Sequence, residues 1–127
     1  MAVTRKNWVD ACASAKYEHG IDGCLRSIDN KYCPLGVLAD LLVKAGAFGL
    51  TWEKGDDRYY LLSPDGTKDK GYLPAEVRVT TGVAIAHWHI IRQNDGLRVP
   101  DNFKGIGEFF SKDAADKKKQ SIPEFSV

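Results

Sequence analysis

The sequence predicts an α+β fold: a mostly helical single domain carrying a small antiparallel β-hairpin or meander. Three observations predict it. Residues 34–46 hold a wide apolar stripe at helical spacing. Residues 51–73 alternate strand formers with turn signals. Residues 102–110 place Phe103, Ile106, Phe109 and Phe110 on one helical face behind Asn102 as a cap.

Taken in order, residues 4–18 read as a helix. Thr4 caps its start, and Trp8, Val9, Cys12, Ala13 and Lys16 follow helical spacing. Gly20 and Gly23 break the pattern. Cys24–Ile28 reads as a short extended piece, and Asp29-Asn30 as a turn. The stretch Tyr32–Gly46 contains the clearest helix. Pro34 suits its first position, Lys44 its last turn and Gly46 its left-handed stop. Leu38, Leu41, Leu42 and Ala45 mark it as central to the core.

Thr51-Trp52-Glu53, Arg58–Leu62 and Gly71-Tyr72-Leu73 follow as strand-forming runs. Lys54–Asp57 and Ser63–Gly66 separate them as turns. Residues 75–94 fit two readings. Val77, Val79, Val83, Ile85 and His87 alternate, while Pro74 and Glu76 mark a helix start and Ala84, Trp88 and Ile91 share a helical face. Gly105 and Gly107 weaken the last helix, so packing must hold it. The domain is expected over residues 1–111, with 112–127 as a charged C-terminal extension.

Composition narrows the function classes. The chain has 127 residues, with 18 Lys and Arg against 17 Asp and Glu, for a net charge of +1. That length excludes the large catalytic folds, and that charge balance argues against a duplex nucleic acid partner. No apolar run is long enough to span a membrane and the start has no signal-peptide pattern, so a cytoplasmic location is expected. Cys12, Cys24 and Cys33 include no Cys-x-x-Cys pair, so they read as reduced, buried thiols rather than zinc ligands.

Three groups are candidates for chemistry. Cys33 precedes Pro34 at a helix start, where the dipole stabilises a thiolate, and His87 or His89 is available as a base. Against a cysteine hydrolase, the proline removes one oxyanion-hole amide and the neighbouring Leu35 and Val37 argue for burial. His87-Trp88-His89 shares a face only on a strand, and no carboxylate stands at ligand spacing, so no metal site is expected. Trp52, Arg58, Tyr59 and Tyr60, with Tyr72 and Trp88, set aromatic planes beside a cation, the pattern that holds bases and nucleotide-like ligands. The bland alternative is that these aromatics cover the sheet and fill the core. Lys117–Lys119 has Asp113 and Asp116 beside it, which weakens a phosphate-binding reading.

Gly20–Arg26, followed by Tyr32-Cys33-Pro34-Leu35-Gly36-Val37-Leu38, leads on to Trp52, Leu73-Pro74-Ala75-Glu76-Val77, Thr81-Gly82, Asn94-Asp95 and Phe103–Phe110. This order of segments resembles a family of small proteins from bacteriophages and their bacterial hosts, over residues 8–111. The His-Trp-His segment and the loop before the last helix depart from that pattern. The resemblance implies a mostly helical α+β domain of phage-related origin. It also tips residues 75–93 toward a helix at 75–81, ended by Gly82, and a second at 83–93. It brings no catalytic residues. By analogy of lifestyle, it points to an accessory protein that inhibits or sequesters a component of host defence. The expected function is therefore a cofactor-free, homo-oligomeric binding protein that captures a nucleotide-derived host signal. Its contacts are expected at Trp52, Arg58, Tyr59, His87 and His89. The alternatives are an inhibitor of a host protein and a cysteine hydrolase centred on Cys33.

Overall fold

The computed structural model describes residues 2–14, 16–19, 25–83 and 124–127. Helix α2 (Pro34–Lys44) forms the buried centre of the described fold, with Leu35, Val37, Leu38, Ala39 and Leu42 all buried. Its start is fixed by Pro34, because the residue before a proline is pushed to extended backbone. Cys33 accordingly sits at φ −85° and ψ 168° as the N-cap. Tyr32, one residue earlier, belongs to a strand rather than the helix. Gly46, just past the end, takes φ 70°, a left-handed conformation that suits glycine.

Helix α1 (Arg5–Ala13) begins as expected: the Thr4 hydroxyl accepts from the Asn7 N–H, and the Asn7 side chain accepts from the Thr4 N–H. It ends short of residue 18. Ser14 turns both its N–H and its hydroxyl onto the Ala11 carbonyl, which stops the helix. Trp8 fixes α1 on α2 by donating its indole N–H to the Pro34 carbonyl at 2.7 Å. Helix α3 (Ala75–Thr81) matches the predicted span and closes on Gly82, at φ 77°.

The expectation of a mostly helical domain is not met. Beside three α-helices, the described residues form a six-stranded sheet. Its strands are β1 (Glu18–His19), β2 (Arg26–Ser27), β3 (Lys31–Tyr32), β4 (Thr51–Lys54), β5 (Arg58–Leu62) and β6 (Lys68–Asp69). Strands β4 and β5 are the first two runs of the predicted meander; the third, Gly71-Tyr72-Leu73, forms no strand, and β6, just before it in sequence, pairs with β5 instead, while β2 falls within the predicted extended piece at 24–28. Strands β1, β2 and β3 are two residues long, too short to show a period of two in the sequence. The sheet runs β1-β3-β2-β5-β4, with β6 also on β5. All pairs are antiparallel except β1 with β3. Strand β5 is the hub: β4 flanks it on one side, while β2 and then β6 share the other.

Two close contacts set how α2 meets this sheet. A side chain at Gly36 would come within 1.7 Å of the Leu25 carbonyl oxygen, so the first turn of α2 packs directly on the backbone leading into β2. The Cys33 N–H also donates to that carbonyl, at 3.3 Å. The last residues return to the first ones. Val3 and Val127 exchange backbone hydrogen bonds of 2.8 and 2.9 Å, and the Phe125 ring packs against Trp8. Cys24, residues 84–93 of the predicted second helix, the Asn94–Gly96 turn, the Phe103–Phe110 helix and the lysine run at 117–119 lie outside the described residues.

Candidate functional site: an arginine among aromatic rings

Strand register builds the site. Arg26 on β2 stands opposite Tyr32 on one side and Tyr59 on the other. Side chains opposite each other in a ladder share a face, so the guanidinium is bracketed by two rings. Tyr59 in turn stands opposite Lys54, and Trp52 lies two residues along the same strand, hence on the same face. The Arg26 guanidinium carbon lies 3.8 Å from the Tyr59 ring centre, 5.4 Å from that of Trp52 and 5.5 Å from that of Tyr32. These are cation–π distances. Trp52 meets Tyr59 edge-on at 6.4 Å.

A side-chain amide aims the arginine. Asn30, in the β2–β3 turn at φ 65°, accepts from Arg26 Nε at 3.1 Å and Nη2 at 2.7 Å. Among the described residues no hydrogen bond engages Nη1. One edge of a half-buried, pre-oriented cation is therefore unengaged among the described residues, beside aromatic rings.

Asp40 organises the floor. It lies in the middle of α2, only 5% exposed. Its Oδ1 accepts from the Trp52 indole at 2.9 Å, and its Oδ2 accepts from the Tyr17 hydroxyl at 2.7 Å. Lys44, one turn on, reaches Oδ2 at 3.1 Å. Burial pushes the Asp40 carboxyl up, but the hydrogen bonds from Tyr17, Trp52 and Lys44 outweigh it and hold the group below its ordinary range. Burial first, and then the Asp40 hydrogen bond and charge, push the Tyr17 hydroxyl well above its ordinary range. Tyr32 is raised by burial and by the charge of Asp40, against an opposing effect from Arg26. Tyr17 meets Tyr32 edge-on at 5.0 Å, which joins the Asp40 network to the arginine box.

Of the residues singled out in the sequence, Trp52 and Tyr59 come together here. Arg58 does not join them. It precedes Tyr59 on β5, so its side chain leaves from the opposite face, and its guanidinium pairs with Asp57 at 3.1 Å. The cation of the site is Arg26 instead. His87 and His89 lie outside the described residues. Cys33 is 6% exposed, and its Sγ accepts from the Gly36 N–H at 3.4 Å as the N-cap of α2. Among the described residues, no group of three His, Cys, Asp or Glu side chains is arranged to hold a metal ion. No helix among them is long and apolar enough to cross a membrane.

Arg26, Asp40, Tyr17, Asn30, Tyr32 and Lys44 all escaped the sequence reading as site residues. Asp40 had a signal: a lone carboxylate in an otherwise apolar helix must find partners. Arg26 had a weaker one, since the two-residue strand that positions it shows no pattern of its own.

Fold and site together define an α+β domain that carries an arginine held among aromatic rings. Residues 2–113 match the family described as Domain of unknown function (DUF8296), and the chain belongs to that family. No curated protein and no solved structure matches the chain.

Proposed function

We propose that this chain is a non-enzymatic binding protein that captures a nucleotide-like anion at the Arg26 box. The observation that carries this reading is the Arg26 guanidinium, held 3.8 Å from the Tyr59 ring by Asn30 with its Nη1 edge unengaged. A phosphate is recognised by such an edge. A base is recognised by stacking on neighbouring rings, with Tyr59 and Trp52 half-exposed for that purpose. Lys44, also exposed, is paired with Asp40 at 3.1 Å. The resemblance to phage-type accessory proteins supports a host-derived signal nucleotide as the ligand, and sequestration rather than turnover as the outcome.

The test is calorimetry of the full chain against mononucleotides, cyclic dinucleotides and ADP-ribose derivatives. At least one is expected to bind, and Arg26→Gln is expected to weaken it by roughly tenfold or more, the loss of one charge-assisted contact. Tyr59→Leu probes the stacking wall if the first variant unfolds. Silence across the whole panel overturns the nucleotide reading. Stoichiometric capture of a host protein that Arg26→Gln leaves intact replaces it with the inhibitor reading.

A further inference from the structure

A second set of polar groups converges elsewhere without pairing. A cavity of about 420 Å³ lies among the Ser63–Gly66 turn, β6 and the start of α3, within the size range of small-molecule sites. Ser63, Asp65, Thr67, Asp69, Glu76 and Arg78 supply its polar lining. Two of their atoms, Ser63 Oγ and Asp69 Oδ2, are buried with no hydrogen-bond partner among the described residues. Buried polar atoms are normally satisfied, and an orphan calls for an explanation.

Arg78 supplies the opposite charge. Its Nε donates to the Leu73 carbonyl at 3.1 Å, which fixes the guanidinium plane. Arg78 and Asp69 feel each other's charge, yet no ion pair closes between them among the described residues. A carboxylate and a guanidinium that line one cavity and stay apart leave room for a molecule bearing both charges. A lone anion would face Asp69, Asp65 and Glu76. A lone cation would face Arg78.

We propose that this cavity binds a small zwitterion of the α-amino-acid class, its carboxylate on Arg78 and its ammonium on Asp69 Oδ2 and Ser63 Oγ. Both atoms are buried as they stand, so the Ser63 and Asp69 side chains turn toward the cavity to meet the ammonium, which then satisfies both. Burial raises the Asp69 carboxyl against the opposing charge of Arg78, and an ammonium at Oδ2 offsets that burial cost. The site shares no residue with the Arg26 box, so the two proposals stand or fall separately.

Thermal-shift and calorimetric titrations of the full chain with glycine, L-alanine and L-glutamine test it, with acetate and methylammonium as single-charge controls. The amino acids are expected to bind and to raise the unfolding temperature, with either control weaker by roughly tenfold or more. Asp69→Asn is expected to lower amino-acid affinity by a similar factor. Ser63→Ala, a milder change, gives the same readout if Asp69→Asn disturbs folding. Absence of binding by all three amino acids, equal binding of acetate or methylammonium, or unchanged affinity in the variants overturns the proposal and leaves a bridging water only.

Discussion

Asp40 shows how one residue ties a helix to a sheet. Its two oxygens hold Trp52 from β4, Tyr17 ahead of β1, and Lys44. Asp40→Ala leaves a part-buried indole N–H and a part-buried tyrosine hydroxyl without their acceptor. The expected cost is roughly 2–4 kcal/mol, read from urea unfolding midpoints. Asp40→Asn keeps an acceptor and is expected to cost less. The carboxyl is held below its ordinary value of 3.8 in the folded chain. A depressed folded value means that the ionised group stabilises the fold above the unfolded value. That contribution disappears as pH falls through the folded one. Wild type is therefore expected to lose stability on acidification below about pH 4 more steeply than Asp40→Asn. Parallel slopes for the two proteins contradict this role.

At the scale of elements, the approach of α2 to β2 sets where Arg26 sits. Gly36 permits that approach, because a Cβ there would overlap the Leu25 carbonyl. Gly36→Ala is expected to destabilise the fold by about 3 kcal/mol or more, since backbone cannot yield as a side chain can. A chemical unfolding curve unchanged from wild type would refute the contact. The sequence made α2, the start of α1, the β4–β5 hairpin and α3 legible, because each carries a cap, a turn or a full period of its own. It hid β1, β3 and β6 and gave β2 only as an extended piece without partners, because these two-residue strands exist by pairing rather than by pattern. The same blindness put Arg58 in the site in place of Arg26. Neighbouring aromatics in sequence mark a face, but only register says which cation from another strand reaches it.

For the molecule as a whole, the two ends of the chain close on each other. Val3 pairs with Val127, Arg5 meets Glu124 at 3.3 Å, and Phe125 is buried against Trp8. The exposed ion pair adds little; the buried ring carries the contact. Phe125→Ala is expected to cost about 3 kcal/mol, visible as a lowered unfolding temperature, while Glu124→Ala is expected to be near neutral. Membership of the DUF8296 family gives this fold a lineage. The account of what it does rests on the Arg26 box. The most direct test is nitrogen-15 NMR of the full chain titrated with the tightest nucleotide from the calorimetric panel, following the Arg26 Nε–H and the Trp52 indole N–H. The account predicts that these signals, with the Tyr32 and Tyr59 amides, shift together and saturate. Saturating shifts confined to other residues, with Arg26 and Trp52 unmoved, would contradict it.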